Sequence, residues 1–337
     1  MLSGIFPPLP TPFTQDGALD LDALRSNVEQ LNPIGLSGYL ALGSNSEAVH
    51  VTPEEASQVY ATVCQAAAPD KIVIGGTGQL STRATIEMTQ RAAEAGCAAA
   101  LIVTPFYYKN SMTAEALRAH YHAVADVSPI PVMIYNVPAN TGFTIAPNII
   151  ADIAQHPNVI GLKDSAGDIN QLAEAVRLTR RKHSERSEAE STPGGPPPHS
   201  GGYGQSAQQP STTASLRSSS AQAANEFAVF SGNYGAMLPS LTFGIVGAIL
   251  AVANIAPAEC VQIFNLFKQG QIEAAGELHL RLLPVARAVT SQFGVPGLKA
   301  AMSMLGYRGG WPRLPLLPLG AGPQAELEKI LREAKLL

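Results

Sequence analysis

The sequence predicts an α/β protein in which eight parallel strands close into a TIM-type (β/α)8 barrel, followed by a C-terminal helical extension. Short apolar runs typical of strands alternate along the chain with longer amphipathic stretches typical of helices. The strand candidates number eight, which is the count of a closed parallel barrel. Several of them are apolar throughout, as expected for strands covered on both faces.

Each predicted strand is short and is followed by a turn or a helix. In chain order they are 5–13, 38–42, 72–75, 99–104, 132–136, 159–163, 227–231 and 248–253. Helices are predicted at 53–67, 82–95, 113–127 and 169–181, and after the last strand at 256–268, 272–291, 296–305 and 324–336. An open doubly wound sheet is the alternative. Gly75-Gly76-Thr77-Gly78, however, lacks the spacing of a dinucleotide-binding loop and is interpreted as a strand-ending turn.

This pattern divides the chain into four segments. Residues 1–183 hold the first six β/α units, 227–268 hold the last two, and 269–337 form the C-terminal helical extension. Residues 184–226 are rich in Ser, Gly, Pro, Gln and Ala, and are predicted to be a disordered insertion because they bury too little apolar surface to offset the entropy of ordering. A helix-to-strand loop lies opposite the catalytic face of a barrel, so an insertion there can leave the chemistry intact.

Composition excludes several classes of partner. A formal net charge of −4 leaves no basic stripe for nucleic acid, and no apolar run approaches the roughly 18 residues of a membrane span. The first residues lead into Gly4 without a basic or apolar leader, and three widely spaced cysteines suit free thiols in a reducing compartment. We therefore expect a cytoplasmic protein that binds neither nucleic acid nor membrane.

Lys163 is the most informative residue, because it closes the apolar run Val159-Ile160-Gly161-Leu162. Desolvation at the end of a buried strand favours an uncharged amine, and a neutral amine is a nucleophile toward ketones. From the residues alone, a solvent-facing lysine at a strand end is the alternative.

Other polar side chains follow other predicted strands. Ser44 and Asn45 follow the second strand, Tyr107 follows the fourth, and Tyr135 lies near the end of the fifth. Loops at the C-terminal ends of barrel strands carry function, so these residues are expected to converge with Lys163. The phenols could move protons and the N–H groups of the Ser44 turn could bind a carboxylate. The alternatives are core aromatics and a simple tight turn before a helix that is capped by Thr52.

No metal site or catalytic histidine is predicted. Asp16 and Asp20 are interpreted as a turn residue and a helix cap.

At these residues the chain resembles the dihydrodipicolinate synthase and N-acetylneuraminate lyase superfamily of Schiff-base (class I) aldolases. Within it, the sequence is most similar to 4-hydroxy-2-oxoglutarate aldolase. The likeness runs from Gly4 to about Leu319, apart from the insertion. The motifs that carry it are Gly43-Ser44-Asn45, Ser128-Pro129-Ile130-Pro131-Val132, Val137-Pro138-Ala139-Asn140-Thr141-Gly142 and Phe293-Gly294-Val295-Pro296-Gly297-Leu298-Lys299.

The resemblance implies a role for each matching residue. Lys163 would form a Schiff base with a 2-oxo acid, and Tyr135 would shuttle protons. Ser44 would be the relay hydroxyl, and its backbone with that of Asn45 would bind the pyruvyl carboxylate. Tyr107 matches a tyrosine that neighbouring subunits exchange, which implies a homo-oligomer, either a dimer or a tetramer.

Position 140 departs from the synthases, which carry Val-Pro-Ser-Arg-Thr-Gly and hold the carboxylate of their second substrate with that arginine. The amide of Asn140 cannot replace a bidentate guanidinium. Asn140 and Ile249 are the remaining residues expected to bind substrate.

The sequence therefore predicts a cofactor-free aldolase that cleaves 4-hydroxy-2-oxoglutarate to pyruvate and glyoxylate. The enzymatic alternatives are a 2-oxo-3-deoxy sugar-acid aldolase and a dihydrodipicolinate synthase-like condensation. The alternative of another class is a non-catalytic barrel that binds a 2-oxo acid.

Overall fold

A parallel eight-stranded barrel is present, as the sequence predicts. The computed structural model describes residues 2–191 and 227–337, with side chains at 2–180 and 227–337. The strands are β1 Gly4–Phe6, β2 Gly38–Ala41, β3 Ile72–Gly76, β4 Ala99–Val103, β5 Val132–Asn136, β6 Val159–Asp164, β7 Ala228–Ser231 and β8 Gly247–Ile249.

Backbone hydrogen bonds connect the strands around the barrel. Every pairing within the sheet is parallel, in the order β1-β8-β7-β6-β5-β4-β3-β2. Across the seam between β1 and β2, the Ser37 N–H donates to the Ile5 carbonyl and the Leu40 N–H donates to the Pro7 carbonyl, each over 3.0 Å. The C-terminal ends of all eight strands therefore surround one opening.

Helices surround the barrel and extend it. They are α1 Leu21–Leu31, α2 Pro53–Ala66, α3 Thr82–Glu94, α4 Ala114–Val127, α5 Pro138–Thr141, α6 Pro147–Ile153, α7 Ile169–Ser191, α8 Tyr234–Leu241, α9 Pro257–Lys268, α10 Ile272–Arg287, α11 Gly294–Met304 and α12 Ala321–Glu333. The last three form the C-terminal helical extension. Within the described residues, none of the helices has the length and apolar character required to cross a bilayer.

The two predicted caps are confirmed. Thr52 caps α2 in a reciprocal box with Glu55: the Glu55 N–H donates to the Thr52 hydroxyl over 3.2 Å, and the Thr52 N–H donates to the Glu55 carboxylate over 2.9 Å. Asp20 caps α1 by accepting a hydrogen bond from the Ala23 N–H over 2.9 Å.

Several predicted boundaries are wrong, and three of them have a visible cause. Strand β1 stops at Phe6 because the prolines that begin at Pro7 have no N–H to donate to a neighbouring strand. The last strand stops at Ile249, where the chain turns into the 3-10 segment Ala251–Asn254. Helix α7 continues to Ser191 because residues 181–190 include Arg, Lys, Glu and Ala, which favour helix. The rest of the predicted insertion, 192–226, lies outside the described residues.

Strand β3 continues through Gly75 and Gly76, two residues of the segment predicted as a strand-ending turn, and close packing explains its glycines. A β-carbon on Gly76 would overlap the carbonyl of Leu42. At Gly78 a β-carbon would lie 2.5 Å from the backbone nitrogen of Val103. These glycines let the ends of β2, β3 and β4 approach closely around the opening.

We predict that Gly76→Ala lowers the free energy of unfolding by about 1–3 kcal/mol, because the added methyl group displaces the Leu42 backbone. The matched control is Gly276→Ala in α10, where a β-carbon has no neighbour within 4 Å and the change should stabilise by about 0.5–1 kcal/mol. Urea unfolding measures both variants. Equal midpoints for the Gly76 variant and the parent would contradict the prediction.

Candidate active site

Strands β5 and β6 place Lys163 beside Tyr135. The two residues are partners in the parallel pairing, and both are buried, with 2% and 5% of their surface exposed. The Lys163 Nζ lies 4.2 Å from the centroid of the Tyr135 ring. The structure therefore confines the amine over an aromatic face inside the barrel.

An irregularity in β6 sets this pairing. Val132 pairs with Val159, but Met133 pairs with Gly161, so Ile160 is an extra residue that has no partner in β5. An unbroken register would place Leu162, instead of Lys163, opposite Tyr135.

Ser44 is the third polar residue of the site and contacts Tyr135. It begins the 3-10 turn Ser44–Ser46 that follows β2, and its hydroxyl lies 3.3 Å from the Tyr135 hydroxyl. Asn45 lies half-buried in the same turn. The structure thus joins Lys163, Tyr135 and Ser44 into one chain of polar groups.

The surroundings of Tyr135 favour its ionised form. Burial alone raises the pKa of the Tyr135 phenol, but the charge of Lys163 and hydrogen bonds with Ser44, Ser165 and Lys163 outweigh it. The pKa of Tyr135 is therefore below its usual value, and the phenol gives up its proton more readily than an ordinary tyrosine does. A buried phenol with a lowered pKa, beside an amine, suits proton transfer.

Asp164 fixes the loops that follow β5 and β6. Its carboxylate accepts hydrogen bonds from the Asn136 amide over 2.7 Å, the Ala166 N–H over 2.9 Å and the Gln171 amide over 3.3 Å. Burial raises the pKa of Asp164 in spite of these bonds. Asn136 in turn accepts a hydrogen bond from the Ile145 N–H over 3.1 Å, so the end of each strand is held to the other.

A buried ion pair fixes the turn that carries Ser44. Glu47, which follows this turn in a left-handed conformation with φ 56°, lies 2.5 Å from the Lys299 Nζ of α11. The Arg313 N–H donates to the other Glu47 oxygen over 2.8 Å. The side chains of Glu47 and Lys299 are each 1% exposed. The C-terminal extension therefore holds a loop of the barrel mouth in place.

Lys299 is enclosed on its remaining sides. Its ammonium donates to the Trp311 carbonyl over 2.7 Å and lies 4.6 Å from the centroid of the Phe13 ring. Burial lowers the pKa of Lys299 to about 8, against the opposing effect of Glu47. At neutral pH the lysine is still charged, so the pair remains ionic.

The other residues predicted for the site are not joined to this group in the single chain. Tyr107 is 72% exposed, and its ring meets that of Tyr108 edge to face at 5.0 Å between centroids. Asn140 is exposed on α5. Ile249 is buried in the barrel interior, in the same apolar cluster as Tyr135.

The sequence analysis gave no role to several residues of the site. Lys299 was named only as the last residue of a motif, and Asp164 and Glu47 were not named. Gly232 was not noted, although a β-carbon there would lie 3.0 Å from the Lys163 Cε. For Lys299, Asp164 and Glu47, the only signal in the sequence was that each of these three positions carries a charged residue. Such a residue is equally compatible with an exposed side chain, so the sequence does not indicate that it is buried and paired.

The fold and this group of residues define the class of protein, a (β/α)8 barrel with a buried lysine, a buried tyrosine and a half-buried serine at the C-terminal ends of its strands. The sequence profile of the dihydrodipicolinate synthetase family matches residues 1–187 and 210–334, and the chain belongs to this family.

Three relatives illustrate the match. The chain is 34% identical over 331 residues to 4-hydroxy-tetrahydrodipicolinate synthase of Methanothrix thermoacetophila, covering 98% of this chain and 96% of that protein. It is 30% identical over 327 residues to the synthase of the same name from an Exiguobacterium species, covering 97% and 96%. The structure matches a prophage protein of the dihydrodipicolinic acid synthase family from E. coli K12, solved in complex with pyruvate, with a TM-score of 0.83, 26% identity and full coverage of both chains.

These comparisons confirm the superfamily but not the subgroup predicted from the sequence. The relatives carry the name of the synthase and not that of 4-hydroxy-2-oxoglutarate aldolase.

We predict that Lys299→Met lowers the free energy of unfolding by about 3–5 kcal/mol, because Glu47 would stay buried without its cation. Lys329→Met is the matched control: that lysine lies 3.8 Å from Glu333 at an exposed position, so its loss should cost less than about 1 kcal/mol. Urea unfolding of both variants provides the measurement. A Lys299 variant no less stable than the Lys329 variant would show that the pair does not stabilise the fold.

We predict that Lys163→Met raises the pKa of Tyr135, because the nearby positive charge is lost while the burial remains. Ultraviolet difference titration of the phenolate measures it, and subtraction of the Tyr135→Phe titration isolates this tyrosine from the others. Identical titrations in the parent and the Lys163 variant would rule out the coupling.

Proposed function

We propose that this protein is a cofactor-free, pyruvate-dependent enzyme that forms or cleaves a carbon–carbon bond through a Schiff base on Lys163. The observation that carries the proposal is the buried Lys163 amine, 4.2 Å from the ring of Tyr135. Two findings support the proposal: the chain belongs to the dihydrodipicolinate synthetase family, and the E. coli relative was solved in complex with pyruvate. We expect the enzyme to act in the cytoplasm.

The chemistry begins when Lys163 passes a proton to the Tyr135 phenolate and the resulting neutral amine attacks the C2 ketone of pyruvate. A carbinolamine forms, loses water and becomes an iminium ion. Loss of a proton from C3 then gives an enamine, whose C3 attacks the carbonyl carbon of an aldehyde. In the cleavage direction, the C4 hydroxyl loses its proton, the iminium accepts the electron pair of the C3–C4 bond and becomes an enamine, and the aldehyde leaves. The enamine then takes up a proton at C3, and water hydrolyses the resulting pyruvyl iminium.

Tyr135 and Ser44 supply the proton transfers in this proposal. Tyr135 would donate a proton to the carbinolamine hydroxyl as it leaves as water, and would move a proton to or from the C4 hydroxyl. Ser44, 3.3 Å from the Tyr135 hydroxyl, continues the relay. Tyr107 of a second subunit would complete it, which makes the working unit a homo-oligomer, a dimer or a tetramer.

The turn after β2 offers a site for the carboxylate of pyruvate. In the part of the chain that the structure describes, the backbone N–H groups of Ser44 and Asn45 have no hydrogen-bond acceptor. Adjacent unpaired N–H groups at a turn favour an anion. Ile249, at the end of β8, would supply apolar contact to the substrate.

Two finer activities share this chemistry. The names of the relatives favour condensation to 4-hydroxy-tetrahydrodipicolinate. Removing the three carbons of pyruvate from that seven-carbon product leaves a four-carbon amino-acid aldehyde, aspartate 4-semialdehyde, as the partner. The second candidate is cleavage of 4-hydroxy-2-oxoglutarate, which is favoured by the presence of Asn140 where the synthases have arginine.

We predict that borohydride reduction in the presence of pyruvate attaches a carboxyethyl group to Lys163, because the amine forms a reducible imine. Intact mass followed by peptide mapping locates the group. Lys163→Met should lose the adduct, and Lys329→Met, an exposed lysine, should retain it. A parent protein without an adduct at Lys163 would overturn the proposed function and leave only a non-catalytic barrel.

A substrate panel separates the two finer activities. Consumption of pyruvate with aspartate 4-semialdehyde and release of pyruvate from 4-hydroxy-2-oxoglutarate are compared by kcat/KM. A higher value for the condensation supports synthase activity, and a higher value for the cleavage supports the aldolase. Faster cleavage of a six-carbon 2-oxo-3-deoxy acid would assign the enzyme to the sugar-acid aldolases.

A further inference from the structure

Lys109 places a cation beside the loop that contains Asn140. It begins the 3-10 turn Lys109–Ser111 after β4, and Gly142 ends α5 after β5 in a left-handed conformation with φ 75°. A β-carbon built on Gly142 would lie 3.4 Å from the Lys109 Nζ. Because β4 and β5 are neighbours, with Val103 paired to Tyr135, both loops lie on the same side of the opening as the candidate site.

Among the residues whose side chains the structure describes, no acidic group neutralises this lysine. Lys109 forms no ion pair within 4.0 Å among the residues that the structure describes, and its side chain is exposed. Asn140, two residues before Gly142, brings no charge of its own. The loop pair therefore carries one uncompensated positive charge at the mouth of the barrel, and such a charge attracts anions.

We propose that Lys109 binds the distal carboxylate of the substrate and so selects aldehydes, and their aldol products, that carry a carboxylate. The inference rests on the proposed Schiff-base function. The synthases that this chain resembles have an arginine at the position of Asn140, and that arginine holds the carboxylate of their second substrate. Here Lys109, in the loop after β4, would supply the positive charge. An ammonium is a point charge on a flexible stem, so it selects for charge with less demand on geometry than a guanidinium does.

Two 2-oxo acids of equal chain length isolate this contact. Both 2-oxoglutarate and 2-oxopentanoate can form an imine with Lys163, but only the first has a distal carboxylate. Each is trapped on the parent by borohydride in competition with the other, and the two adducts are compared by mass. We expect the parent to favour 2-oxoglutarate by about tenfold or more, the effect of one charge-assisted hydrogen bond.

The variants are Lys109→Met, Lys109→Arg and the control Lys329→Met. Lys109→Met should bring the adduct ratio close to unity, Lys109→Arg should retain the preference, and Lys329→Met should match the parent. The preference of the parent should also fall as salt is added, since the lysine is exposed. Turnover is not required, so the result does not depend on identifying the natural aldehyde.

Equal trapping of the two acids by the parent, or an unchanged preference in Lys109→Met, would overturn the assignment of Lys109. The same trapping with pyruvate distinguishes this failure from a failure of the proposed function. A pyruvate adduct with no preference between the longer acids refutes the role of Lys109 alone, whereas absence of the pyruvate adduct refutes the Schiff-base function.

Discussion

The contact between Lys163 and Tyr135 depends on one extra residue in β6. Because Ile160 has no partner in β5, the last residues of β6 are displaced by one position and Lys163 comes to pair with Tyr135. In a sheet, a shift of one residue exchanges the faces on which side chains lie. The burial of the amine, its contact with the phenol and the lowered pKa of Tyr135 all follow from this register.

The serine of the site is held from outside the barrel. Glu47 would be costly to bury alone, and Lys299 and the backbone of Arg313 compensate its charge. The same contacts determine where the turn bearing Ser44 lies relative to Tyr135. The helical extension is therefore part of the site's support, although it contributes no group to the lysine, tyrosine and serine chain.

Local patterns were sufficient for the fold, and for Lys163 as a candidate. Apolar runs of strand length locate all eight strands, and a lysine at the end of one run is visible without a structure. The extra residue in β6 is not visible, because Ile160 looks like any other apolar strand residue. The pairing of Glu47 with Lys299 joins residues remote in sequence, and no local pattern reports such a contact. The role proposed for Tyr107 rests on the family resemblance and requires a second chain, and in the single chain this side chain is exposed.

The position of Lys299 and Arg313 along the chain has a consequence for synthesis on the ribosome. All eight strands precede these residues, so the barrel can be translated in full before the partners of Glu47 have left the exit tunnel. Until they emerge, Glu47 lacks its Lys299 and Arg313 partners. The turn that carries Ser44 is then not held in position relative to Tyr135. A nascent chain would then hold Lys163 and Tyr135 beside a turn that is not yet fixed, and the arrangement of Lys163, Tyr135 and Ser44 would be complete only near the end of translation.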